Sequence, residues 1–153
     1  MNKPAQIAAA PSVDYPDYHK DGYGWAMAQA AIIRAGRLDS IDWENVAEEV
    51  ESVGKSEKSS AESALRVVLM HRLKWQHQVT FRTRSWQLSI RNHLEEFDDV
   101  MRDNPSLKSR LGEMLARAYR RARVDAAQET GLDIDIFPID PPSWEEIRAA
   151  QAL

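Results

Sequence analysis

The chain has 153 residues, 43% apolar and 29% charged, with no cysteine. That balance suits one globular domain and excludes a disordered chain, a disulfide scaffold, a thiolate metal site and a cysteine nucleophile. The net charge of −4 hides a block pattern: residues 1–62 carry −5, residues 63–94 carry +6 without a single acid, and residues 95–104, 105–130 and 131–153 carry −4, +3 and −4.

Residues 1–14 read as a flexible N-terminal arm, and residues 15–153 as a single all-helical domain. The Ala-rich stretch from Met1 to Val13 is broken by Gln6 and Pro11, too weak for a secretory core. The longest uncharged apolar run, Gly22 to Ile33, falls well short of the ~20 residues that cross a bilayer. No membrane association and a cytoplasmic location are therefore expected. Periodicity is helical almost throughout, and no hairpin signal interrupts it.

The first helix is predicted over about Tyr18 to Ala35, capped by Asp17 and ended by Gly36. A second is predicted over Asp42 to Val53, with Trp43, Val46, Ala47, Val50 and Val53 on one stripe and Gly54 as its stop. The third, about Ser56 to Gln78, is apolar around most of its circumference from Ala64 to Trp75, which predicts a central, buried helix. The fourth runs from about Ser85 to Asp103. The fifth opens on Asn104 as N-cap and Pro105 at the first helical position and ends at Gly131. Its stripe of Leu107, Leu111, Met114, Leu115, Ala118 and Ala122 continues into Asp125 and Glu129. After a proline-containing connector, Ser143 and Glu146 form a capping box for a short last helix. The expectation is a bundle of about five long helices plus a short C-terminal one. Trp25, Trp43, Trp75, Trp86 and Trp144 read as anchors of these helices to one core.

No motif in the chain carries a cofactor, a metal or a catalytic arrangement. His71 and His77 are six residues apart and point in different directions on a helix. Asp133 and Asp135 open like a calcium loop, but Phe137 and Pro138 stand where an oxygen ligand and a glycine are required. Gly22-Tyr23-Gly24 follows no strand, so it is no dinucleotide turn. A helix-turn-helix around Gly54 fails because the would-be reading helix starts with Glu57 and Glu62.

Two clusters remain. Glu48, Glu49, His71, Arg72, Trp75, Arg121, Asp125 and Glu129 include charges that fall on apolar stripes. They must form either an internal ion-pair network or a polar cleft suited to acid–base work. Arg82, Arg84, Ser85, Trp86 and Arg91 gather cations, a hydroxyl and a ring near a helix start, a candidate site for an anion or a partner. The acids Glu44, Glu48, Glu49 and Glu51 are expected to neutralise this block by packing beside it.

The strings Tyr23-Gly24-Trp25, Arg34-Ala35-Gly36-Arg37-Leu38-Asp39, Glu44 through Glu57, Leu69 through Gln76, Arg84-Ser85-Trp86, Asn104-Pro105-Ser106-Leu107, Ala127 through Leu132 and Phe137-Pro138 together resemble a bacterial family, domain of unknown function 29. The resemblance spans about Tyr15 to Ile147. It implies an all-helical domain found mainly in proteobacteria and cyanobacteria, with no activity attached. Gly22 and Gly24 depart from the bulkier residues expected there. The functional expectation is a non-enzymatic interaction or regulatory module with a protein partner. Anionic-ligand or nucleic-acid binding through residues 63–94, disfavoured by the acidic flanks, and an enzyme with a cleft around His71 are the alternatives.

Overall fold

A computed structural model describes residues 14–150. The expected arm, residues 1–14, lies outside the described residues except for Asp14. Every regular element among the described residues is an α-helix or a short 3-10 turn: α1 (Gly22–Arg34), α2 (Trp43–His77), α3 (Arg84–Asp103), α4 (Leu111–Thr130) and α5 (Trp144–Ala149). The fold is all-α, as expected. The chain forms two compact units, one ending at Val53 and one beginning at Gly54.

In the first unit, α1 starts four residues later than the sequence suggests. Asp21, not Asp17, is its cap, accepting from the Gly24 amide at 2.8 Å. A Cβ on Gly24 would lie 2.9 Å from both the Asp21 carboxyl carbon and the Pro16 ring, so glycine here serves the close approach of the cap. Gly36 ends the helix with φ +67, a conformation that costs a glycine nothing. The Trp25 indole donates to Asp42, and the Asp42 amide donates to the Gln29 side chain at 2.9 Å. Among the described residues of this unit, only Trp25, Gln29, Ile32 and Ile41 are buried.

The expected second and third helices are one. α2 runs unbroken for 35 residues with Gly54 inside it. Mid-helix glycine costs about 1 kcal/mol relative to alanine, too little by itself to stop this helix. The expected set of long helices is thereby reduced by one, to α1, α2, α3 and α4, and α5 remains the short last element.

The core of the second unit is built on α2 from Ala61 onward. Leu65, Val68, Leu69 and Leu73 of α2 meet Ile90, Leu94 and Phe97 of α3 and Met114, Ala118 and Ala122 of α4. This part of α2 is the central helix that its circumferential apolarity predicts. Thr83 caps α3 by accepting from the Trp86 amide. Asn104 and Pro105 stand at the N-cap and first position of the next element, as expected, but the Asn104 side chain makes no capping bond to it. That side chain donates to the Val100 carbonyl at 3.0 Å and to Glu57 at 3.1 Å, closing α3 instead, and Pro105–Arg110 is a 3-10 turn before α4 begins. Gly131 ends α4 with φ +71. The connector to α5 is pinned on α4: the Tyr119 hydroxyl donates to the Pro138 carbonyl at 2.7 Å, and Arg123 donates to the Ile134 and Phe137 carbonyls. α5 opens with the full Ser143–Glu146 capping box. Arg148 then clamps Asp98 of α3 with two hydrogen bonds and lies over the Trp144 ring.

Candidate functional site

The basic block is partly matched inside the fold. Arg66 forks onto Asp125 of α4, with Nη2 donating to Oδ1 at 2.6 Å. Lys74 is 7% exposed; it reaches Glu129 of α4 and sits 4.5 Å above the Trp86 ring. Arg72 lies 3.6 Å from Glu146 of α5. The acids that match these three cations come from α4 and α5, not from residues 44–51 as the charge pattern suggests. The expected turn at Gly54, which would have folded the acidic stretch back on the basic one, does not form.

The rest of the block faces solvent. Arg82 donates to the Trp75 carbonyl at 2.8 Å and stacks over the Trp75 ring. Arg84 and Arg91 are exposed, as is Ser85, while Trp86 is half-buried. A groove of about 360 Å³ brings Arg72, Trp75, Gln76 and Arg82 together with Glu146.

The polar cluster around His71 is dispersed. Asp125 and Glu129 line a cleft with Ser63, Arg66, Val67, Met70 and Gln128, and His71 is not among its walls. Both carboxylates are engaged by cations. Arg121, one turn before Asp125 on α4, is exposed beside Arg117 in a small cleft near Glu62. The His71 ring is half-buried, and its Nδ1 has no hydrogen-bond partner among the described residues. Burial, reinforced by the nearby Lys74 cation, lowers its pKa to about 4. A neutral imidazole with so low a pKa is a weak base near pH 7, and it keeps one ring N–H as a hydrogen-bond donor. Among the described residues, no group of three or more His, Asp or Glu side chains is arranged to hold a metal ion. No described helix is long and apolar enough to cross a membrane.

One apolar feature of the first unit was not among the candidates read from the sequence. A groove of about 430 Å³ runs between α1 and the start of α2. Trp25, Ala26, Ala30 and Ile33 form one wall, and Val46 and Val50 the other. Tyr18 closes one side, its hydroxyl donating to Glu49 at 2.6 Å. That hydrogen bond, with the Glu49 charge, pushes the Tyr18 pKa up to about 12. Gln29 lies in the groove floor, with its Nε2 unpaired among the described residues.

The helix faces beside the groove are apolar and open. Tyr23 and Met27 are exposed on α1, and Trp43, Val50 and Val53 on α2, with Trp43 58% exposed. The stripe of Trp43, Val46, Val50 and Val53 was expected to face a core. Val46 is half-buried, but Trp43, Val50 and Val53 are exposed, so Trp43 is not the anchor that its stripe position suggests. Glu48 is exposed on the same helix. The signal was present in the sequence as 3–4 spacing of apolar residues, but such spacing marks a face that favours burial, not the element that buries it.

No curated protein and no solved structure matches the chain. The model of the family described as "Domain of unknown function DUF29" matches residues 18–150, so the strings that carried the resemblance lie within one nearly full-length match. The chain belongs to the DUF29 family.

Proposed function

We propose that this chain is a non-enzymatic interaction module, acting in the bacterial cytoplasm, that binds another protein through its first unit. The observation that carries this reading is the uncovered apolar face of α1 and the start of α2, where Tyr23, Met27, Trp43, Val50 and Val53 are all exposed. Scattered exposed apolar residues are ordinary, but a contiguous face flanking a groove marks an interaction surface. The test is affinity capture from the source cell with the wild-type chain and an Ile33→Glu/Val50→Glu variant. A reproducible protein retained by the wild type and lost by the variant is expected. Equal retention by both overturns the reading.

A second reading, binding of an anion or nucleic acid through residues 82–91, draws on the exposed Arg84 and Arg91. It predicts salt-sensitive binding of single-stranded DNA that weakens on Arg84→Ala. Absence of any anisotropy change at low salt removes it. An acid–base role for His71 draws no support from a ring held neutral that does not line the cleft of Asp125 and Glu129.

A further inference from the structure

We infer that the groove of the first unit docks a basic amphipathic helix, which completes a three-helix arrangement with α1 and the start of α2. The inference rests on the interaction reading above and names the chemistry of its partner.

Two packed helices cannot enclose a core. Each buries one stripe against the other and leaves the flanking positions wet. The first unit shows this condition. Its described residues include four that are buried, and its two helices carry further apolar positions that are exposed or only half-buried. On α1 these are Tyr23, Ala26, Met27, Ala30 and Ile33, at i, i+3, i+4, i+7 and i+10. On α2 they are Val46, Val50 and Val53. The groove between them is the place of a third helix, recognised by apolar anchors at helical spacing.

Charge selects among third helices. Residues 14–53 carry nine acids against three bases. Glu49 is the charged residue in the groove wall, and among the described residues no cation lines it. A second copy of this unit would bring the same acidic surface to the same acidic surface, and like charges across an interface are unfavourable. A helix with lysines and arginines beside its apolar face is attracted by that field and buries the same area.

The test uses the full chain and three fluorescent peptides of about 18 residues, long enough to span α1. One has an apolar face of leucines flanked by lysines. The second has the same leucines flanked by glutamates. The third has the composition of the first in scrambled order. Anisotropy should show the first peptide binding about tenfold or more tightly than either control, and Val50→Glu should weaken it about tenfold. Glu44→Lys/Glu48→Lys should weaken it too, without loss of helicity by circular dichroism. Equal binding of the glutamate or the scrambled peptide, no binding of the lysine peptide, or indifference to Val50→Glu overturns the inference. Sedimentation separates the two levels. A dimer of the chain that Val50→Glu dissolves overturns the basic-helix assignment yet leaves the face an interaction surface. Indifference to Ile33→Glu/Val50→Glu in peptide binding, sedimentation and affinity capture alike overturns both.

Discussion

At the scale of the residue, the second unit holds two groups whose burial sets measurable costs. His71 has a folded pKa of about 4 against about 6.5 in an unfolded chain. The unfolded state therefore takes up a proton first as pH falls. The stabilisation is complete above about pH 6.5 and is lost between there and about pH 4. A shift of this size corresponds to at most about 3 kcal/mol, and to less here because water reaches part of the ring. Urea denaturation at pH 7 and pH 5 should show a steeper loss for the wild type than for His71→Leu, and parallel behaviour would contradict this. Lys74 is the second case. Glu129→Ala strands a buried ammonium and should cost about 1–2 kcal/mol, short of the roughly 3–5 kcal/mol of a fully buried pair because Glu129 is half-exposed. Lys74→Met removes the charge and keeps the apolar stem, so it should cost less than Glu129→Ala. The reverse order would show that the pair is a net stabiliser. The sequence flagged Arg72, Asp125 and Glu129 as charges on apolar stripes, yet it did not identify the partners. Those depend on the register in which α2, α4 and α5 meet, and no local pattern encodes that register.

At the scale of the element, the features legible in the sequence are those made within about four residues. Gly36 and Gly131 stop their helices, and Ser143 with Glu146 starts one, because each acts on backbone groups beside it. Gly54 was misread because glycine costs only about 1 kcal/mol inside a helix, and it marks a stop where the backbone takes a positive φ, as at Gly36 and Gly131 but not at Gly54. Asn104-Pro105 marks the start of its element as expected, but the asparagine side chain bonds behind it, to the Val100 carbonyl and Glu57, and not ahead of it. Gly54 has open space around it. Gly54→Ala should therefore stabilise the chain by about 0.5–1 kcal/mol, through helix propensity and a less free unfolded chain. Thermal denaturation reads this directly, and a destabilising result would mean that α2 is broken at Gly54 in solution.

At the scale of the whole molecule, the two units differ in how much each buries. The described part of the first has four buried residues. The second has a continuous apolar cluster drawn from α2, α3, α4 and α5. Local opening follows buried apolar contact. Amide hydrogens of α1 should exchange well before those of residues 61–73, 90–101 and 114–126, by mass spectrometry of the native chain. Equal protection would show that something covers the first unit in the isolated protein. The fold class and the central helix were readable from apolar periodicity alone. The uncovered face was not, since the stripe of Trp43, Val46, Val50 and Val53 looks the same whether the chain supplies its cover or another molecule does.

The ion pairs between α2 and α4 also bear on time. Arg66 and Asp125 are 59 residues apart, and Lys74 and Glu129 are 55 apart, with all of α3 in the loop between them. Closing such a loop costs chain entropy before any contact repays it. These pairs are therefore expected to form late in assembly, together with the other contacts between α2 and α4. Interactions absent from the transition state slow unfolding and leave the folding rate almost unchanged. Asp125→Asn is therefore expected to speed unfolding in stopped-flow measurements and leave the folding rate almost unchanged, as for a latch that closes last; slower folding with unchanged unfolding would contradict this.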